Sequence, residues 1–410
     1  MRSLLPTLVI AASSLAHAQN MTPPTNGAPI VIHADRVLDG KGKVIPGGTV
    51  VVQNGKITNV QTAPAGAVTY DLKGMTVMPG LIDAHAHLMW YFNRQGRYHT
   101  RQTDNDTPAE SMLAAAGNAY ATLMAGFTTI QSPGNPEDKD LREFIASGQI
   151  PGPRVLTSLN PFSSTRPAPD TLRAQVRQRK ADGADVIKIF ASASIRDGGA
   201  QTLSDEQLKA LCSEAKAQGL RTMVHAHSVE SIKASVLAGC DQIEHGVFVN
   251  DETLKLMADH HVYFDPQVCL VFRNYLDNRA KYEGIGNYNE AGFAAMEKAL
   301  PLAAAAYRKA INTPGLKVIF GTDAVAGAHG RNAEELVCRV KDGGQKPIDA
   351  ITTATSLTAE SLHLGDQIGT LAPGFQADII AVKGDPTSDI TALRNVMFVM
   401  KGGRVFKNER

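Results

Sequence analysis

Between residues 76 and 322 of this 410-residue chain, short apolar runs alternate eight times with longer amphipathic or alanine-rich stretches. The runs cover 76–85, 127–131, 154–157, 185–190, 221–225, 242–245, 262–265 and 318–322. The stretches between them, such as 204–218, 229–238 and 251–259, carry helical spacing. The first of these is punctuated at both ends: Thr202-Leu203-Ser204-Asp205 offers capping residues for its start and Gly219 ends it. Eight strand–helix units in series predict an α/β fold, the (β/α)8 TIM barrel. An open doubly wound sheet is the competing arrangement, but no early G-x-G-x-x-G accompanies the first strand.

The chain ends have a different texture. Runs at 30–33, 48–52 and 56–60 are short strands, with turn signals at Asp39-Gly40 and Asn54-Gly55. Runs at 378–382 and 396–400, the Lys401-Gly402-Gly403 turn and the run 404–406 repeat that style. Neither end has enough apolar surface to fold alone. Both are therefore expected to share one small β-sandwich, built from 19–78 and 369–410, with the barrel over 79–368. Residues 1–18 read as a secretory signal peptide: Arg2, an apolar run from 4 to 15, and an A-x-A site at Ala16-His17-Ala18. That run is too short to span a bilayer. The expected product is exported, periplasmic or secreted.

Lys+Arg (41) and Asp+Glu (40) nearly cancel. Such a balance gives no electrostatic reason to expect nucleic acid or a membrane surface as partner. Four cysteines, Cys212, Cys240, Cys269 and Cys338, form no C-x-x-C pair, and their spacing suggests no disulfide framework. Cys212 and Cys338 lie in helical patterns, where a buried free thiol is the usual state, and export permits disulfides without requiring them.

Chemistry gathers at the strand ends, where this fold places its active sites. The first strand ends in His85-Ala86-His87, and alternation puts both imidazoles on one side, able to share one metal. The fourth holds Lys188 between Ile187 and Ile189; the fifth ends in His225-Ala226-His227, the sixth in Glu244-His245, and the eighth in Thr322-Asp323. A lone strand histidine is usually a hydrogen-bonded core residue. Five at the ends of three strands point to metal binding instead. Lys188 has two readings. A buried lysine needs its charge paired or removed, so it either forms a salt bridge to Asp323 or Glu244 or is carboxylated by CO₂. The second gives an anionic group able to bridge two metals, and the surrounding histidines favour it.

Met78-Pro79-Gly80-Leu81-Ile82-Asp83-Ala84-His85-Ala86-His87 resembles the first-strand signature of the amidohydrolase superfamily. Val186-Ile187-Lys188-Ile189, His225-Ala226-His227, Ile243-Glu244-His245-Gly246 and Gly321-Thr322-Asp323-Ala324 resemble its later ones. Thr352 to Ser356 with Ala359-Glu360, and Gly369 to Gly374 with Ala377-Asp378-Ile379, extend the likeness to the C-terminus. The set is most similar to the prolidase-like (Xaa-Pro dipeptidase) and ochratoxinase branch. The resemblance implies two divalent cations, expected to be zinc. His85, His87 and Asp323 would hold one, His225 and His245 the other, and carboxylated Lys188 would bridge them beside a hydroxide. His227 would face the substrate, and Asp323 would carry the proton from nucleophile to leaving amine.

The expected reaction is hydrolysis of an amide in a dipeptide or N-acyl amino acid, including aryl-acyl amides such as ochratoxin-like compounds, by a homo-oligomer. A cyclic-amide hydrolase or deaminase of imidazolonepropionase type is the alternative, although those enzymes lack the strand-four lysine. A non-catalytic binding protein on the same scaffold is weaker still, because all six ligand positions are filled. Trp90, the only tryptophan, with Tyr91 and His329 could line the substrate pocket, and Arg94 or Arg97 could hold a substrate carboxylate. The segment 270–298, with three tyrosines, is either a lid or an oligomer contact.

Overall fold

The computed structural model describes residues 27–63, 66–100 and 104–409; the expected leader at 1–18 lies outside them. Both chain ends are read by one sheet. Its strands are β1 (Ile30–Leu38), β2 (Val44–Pro46), β3 (Thr49–Gln53), β4 (Lys56–Gln61), β5 (Tyr70–Pro79) and, from the far end, β13 (Ile379–Lys383), β14 (Val396–Lys401) and β15 (Arg404–Asn408). The order is β15-β14-β13-β5-β1-β3-β4, with β2 on β1. Period-two alternation splits the side chains. Val77, Ile379, Ala381, Phe398 and Met400 enter one core, while Met78, Ile380, Val382 and Val399 enter another with Leu336 and Ile351. The expected sandwich of two stacked sheets is corrected to a single ladder. It curls, because Ile57 N donates to Phe375 O and Ala377 N to Gly55 O, returning the β3–β4 hairpin to the C-terminal segment.

The run predicted as one strand over 76–85 is two. Val77 and Met78 stay in the terminal sheet, and after Pro79-Gly80 a new strand, β6 (Leu81–Asp83), starts the parallel layer. There β6 pairs with β7 (Phe127–Ser132) and β7 with β8 (Arg154–Thr157). A second parallel group runs β9 (Val186–Phe190), β10 (Arg221–Ala226), β11 (Gln242–His245) and β12 (Tyr263–Asp265). Parallel bridges Phe162↔Ile189, Phe264↔Val318 and Ala86↔Ala324 connect the edges of the two groups. The predicted eighth strand, 318–322, is not a strand. It is extended backbone hydrogen-bonded on both sides, with Ile319 N donating to Phe264 O and Ala84 N to Phe320 O. The arrangement is TIM-barrel-like.

Helices lie between the strands: α1 (Pro108–Met124), α2 (Asp138–Ala146), α3 (Pro169–Asp182), α4 (Asp205–Ala217), α5 (Val229–Leu237), α6 (Asp251–Asp259), α7 (Leu270–Asp277), α8 (Arg279–Tyr282), α9 (Glu290–Ile311) and α10 (Ala333–Lys341). Thr107 and Ser204 start α1 and α4 through capping boxes with Glu110 and Gln207. Gly219 follows α4 at φ +68°. None of the described helices is long and apolar enough to cross a membrane.

The cysteine reading is overturned: Cys212–Cys240 and Cys269–Cys338 are disulfides, with Cα–Cα distances of 5.1 and 6.2 Å. Their sequence separations of 28 and 69 hid the pairing. What brings the sulfurs together is the packing of α4 against α5 and of α7 against α10.

Candidate metal centre

Polar side chains at the strand ends meet in one buried cluster. Asp323 Oδ1 lies 3.3 Å from His85 Nε2 and 3.1 Å from His87 Nε2. The His245 ring touches those of His85 and His225, with centroids 5.2 and 4.5 Å away. His227 stacks on His245 at 5.0 Å. Donor atoms of His85, His87 and Asp323 form one group spaced for a cation, and those of His85, Glu244 and His245 a second. His225 and Lys188 fall outside both groups. His225 Nε2 lies 3.3 Å from Ala193 O, and the Lys188 ammonium donates to Glu244 Oε2. Lys188 thus takes, in this structure, the ion pair that its sequence left open.

Local backbone supports the convergence. Asp323 (φ +51°) and His245 (φ +67°) both occupy the left-handed region. This costs a side-chain-bearing residue about 1–3 kcal/mol, and such strain clusters at functional sites. A buried network holds Asp323 there. Asp83 accepts from Thr322 N at 3.0 Å, Thr322 Oγ1 at 2.6 Å, Asn332 Nδ2 at 2.7 Å and His85 N at 3.0 Å. One carboxylate therefore positions both the Asp323 backbone and the His85 strand. Burial pushes Asp83 up to about 6 against those hydrogen bonds. On the other side, His87 N donates to Ala324 O at 2.8 Å.

Burial makes the imidazoles neutral, as metal ligation requires. It holds His85, His225 and His245 well below the ordinary histidine range. His227 is pushed down to about 3, by burial first and then by the charge of Arg196. Beneath His85 lie two further carboxylates: Glu244 Oε1 is 3.5 Å and Asp265 Oδ2 3.8 Å from Nδ1. Burial raises Glu244 to about 7 despite Lys188, and holds Asp265 well above the usual carboxylate range. Asp265 is seated by Gly321, where a Cβ would come within 2.2 Å of Oδ2. Below it, the fully buried Arg339 lies 3.7 Å from Asp265 and 3.7 Å from Glu335.

The expected pocket residues divide. Trp90 stacks on His87 at 4.1 Å, so it belongs to the rim. His329 Nε2 lies 3.0 Å from the His87 carbonyl oxygen, beneath the rim. Tyr91 turns to the 99–111 segment instead, where its hydroxyl meets Asp106 and Ser111 and its ring stacks on His99. Neither arginine reaches the cluster. Arg94 pairs with Glu110, and Arg97 donates to the carbonyls of Ala280 and Glu283. The 270–298 segment supplies packed wall, with Tyr275, Tyr282 and Tyr288 buried.

Sequence reasoning passed over Asp83, Asp265 and Arg196. The first two were open to the strand-end rule: Asp83 shares the face of His85, two residues on, and Asp265 closes the seventh strand. Arg196 is a single loop arginine with no such signal.

A sequence model of the amidohydrolase family matches residues 76–406. Ochratoxinase from Aspergillus niger is 28% identical over 378 residues, covering 81% of this chain and 75% of that protein. A solved Xaa-Pro dipeptidase with methionine bound in its active site superposes with a TM-score of 0.82 at 30% identity, over 93% of this chain and all of that one. A putative prolidase from Bifidobacterium longum gives 0.77 at 26% identity, covering 93% of this chain and 96% of that one.

Proposed function

This chain belongs to the amidohydrolase family and is a hydrolase, and on that premise we propose that it cleaves the amide bond of dipeptides or N-acyl amino acids, aryl-acyl amides included, at a two-cation centre. The observation that carries the reading is Asp323 Oδ1 facing two imidazole nitrogens beside three further histidines. The donor set fits: both ring nitrogens of His85 are buried without a hydrogen-bond partner, an arrangement that costs free energy unless a cation completes it. His85, His87 and Asp323 would hold one ion, His225 and His245 the second, with zinc suited to these ligands. Lys188 would join them once carboxylated. The ammonium loses one proton, and the neutral amine then forms a C–N bond to CO₂ and releases a second, turning a buried cation into an anionic ligand.

Bound there, the cations would supply Lewis acidity and lower the pKa of water. The chain does the rest. Asp323 accepts the proton of the attacking water and returns it to the leaving nitrogen, which must depart neutral. His227, neutral and buried, donates to the substrate carbonyl and holds it in place. Trp90 and the tyrosine wall exclude water from the reacting groups. The two disulfides support the export that the leader suggests.

The test is a screen of the purified protein, with Zn²⁺ and bicarbonate, against dipeptides and N-acyl amino acids. Release of free amino acid is expected; ammonia released exclusively from a nucleobase-like ring would overturn the reading.

A further inference from the structure

At the edge of the histidine cluster, Arg196 has no carboxylate in salt-bridge range among the described residues. It lies in a short 3₁₀ turn, Ile195–Asp197, on the loop after β9, and Ser194 caps that turn. The same loop touches the site: Ala193 O faces His225 Nε2 at 3.3 Å, and Ser192 Oγ accepts from His227 N at 3.1 Å. It cannot lift away easily, because Gly199 sits at φ +70° where a Cβ would meet His227 Cβ at 2.7 Å. The guanidinium lies 4.1 Å over the Tyr288 ring and 5.4 Å over that of Tyr275. Nε donates to Asn287 Oδ1 at 2.8 Å. From Tyr288 an aromatic chain runs through Tyr98 and Trp90 to His87, with centroid steps of 5.9, 5.6 and 4.1 Å.

Among the described residues no salt bridge within 4 Å joins Arg196 to a carboxylate; its contacts are Asn287 and the rings of Tyr275 and Tyr288, with Asp323 acting on it from farther away. Two further arginines are buried, and one of them, Arg221, likewise lacks a carboxylate within 4 Å among the described residues and donates to Gln131 Oε1. Arg339 has Asp265 and Glu335, and Arg221 opens β10 at the end away from the histidines. A half-buried guanidinium with no carboxylate in direct contact has donors that an incoming anion can take up. Planar bidentate recognition of carboxylate is what its fork of donors favours.

We propose that Arg196 anchors the free carboxylate of the amino acid released by hydrolysis. Tyr275, Tyr288, Tyr98 and Trp90 form the apolar wall beside that residue's side chain. The substrate class narrows to acyl groups on a C-terminal, apolar or aromatic α-amino acid; internal and carboxyl-blocked amides are rejected. This inference rests on the hydrolytic reading above for its kinetics, but not for its binding test.

Two readouts test it. The kinetic one compares N-acetyl-L-phenylalanine with N-acetyl-L-phenylalaninamide, both followed by release at the acetyl amide. Wild type should favour the acid by about a hundredfold in kcat/KM. Arg196→Met should raise KM for the acid and bring the two within about fivefold, with Arg196→Lys intermediate. The binding readout uses metal-stripped protein and the emission of Trp90, the chain's one tryptophan. The acid should bind more tightly than the amide, and Arg196→Met should abolish the difference while retaining the wild-type melting profile. If Arg196→Met does not fold, Arg196→Lys carries the comparison. Equal or undetectable binding of both probes to wild type, or a preference that survives substitution, overturns the proposal. Clear binding preference without any turnover would sink the hydrolytic reading and leave Arg196 in its role.

Discussion

Asp323 and His87 face each other across 3.1 Å, carboxylate oxygen to imidazole nitrogen, while the same oxygen is 3.3 Å from His85. Three donor atoms so placed are spaced for a shared cation. The left-handed backbone of Asp323, fixed through Thr322 and Asp83, maintains the approach. Asp323→Asn keeps the shape and removes the proposed proton acceptor. It should lower kcat about 10²–10⁴-fold with a smaller effect on KM. Steady-state kinetics on an N-acyl amino acid checks this; an unchanged kcat would remove Asp323 from the proton path.

Arg339 supports the centre from below. It donates to Ile319 O at 2.7 Å and Pro266 O at 2.9 Å, and lies 3.7 Å from both Asp265 and Glu335. Arg339→Leu leaves two buried carboxylates uncompensated and should destabilise the fold by about 3–5 kcal/mol. Urea denaturation measures it, and a loss below about 1 kcal/mol would show that those acids are already neutral.

Lys401 gives a pH signature in the terminal sheet. Burial lowers it from 10.5 to about 7; the ammonium donates to Gly152 O, while Asp378 is satisfied by Arg154 and the Gly402 amide. Between pH 7 and 10.5 the unfolded chain binds more protons here than the folded one, so this group's contribution to stability rises with pH across that window. Below pH 7 both states are protonated and the full burial cost remains. The melting temperature of Lys401→Met relative to wild type should therefore be highest near pH 6 and decline toward pH 9.5. A pH-independent difference would contradict the assignment.

The two disulfides close loops of 28 and 69 residues. Loop-closure entropy puts their contributions at about 3.6 and about 4.4 kcal/mol. Cys212→Ala/Cys240→Ala and Cys269→Ala/Cys338→Ala should each lower the melting temperature, and reductant should lower that of wild type by more than that of either variant, which keeps one bond. A reductant-insensitive melt of wild type would contradict both bonds.

Legibility followed local pattern. The strands carrying His85, Lys188, His225 and His245 could be read because each is a short apolar run ending in polar residues. The convergence of His85, His87 and Asp323 followed from the parallel order of those strands. Two features escaped because they depend on contacts distant in sequence. The disulfides arise from helix packing, and the curl of the terminal sheet from the Gly55 and Ile57 bonds to residues 374–377. The break of the first run at Pro79-Gly80 was visible as two turn-forming residues, yet the apolar flanks on both sides masked it. Loop chemistry was read least well. Arg94 and Arg97 drew attention by lying next to Trp90, whereas Arg196 reaches the site through a turn with no periodicity.

Metal content of the purified wild-type protein, after dialysis in the presence of bicarbonate, bears most directly on the cluster of His85, His87, Lys188, His225, His245 and Asp323. Elemental analysis by mass spectrometry should return two divalent ions per chain, falling to one or none in Lys188→Ala. One ion or fewer in wild type, or two retained in Lys188→Ala, would contradict the two-cation centre.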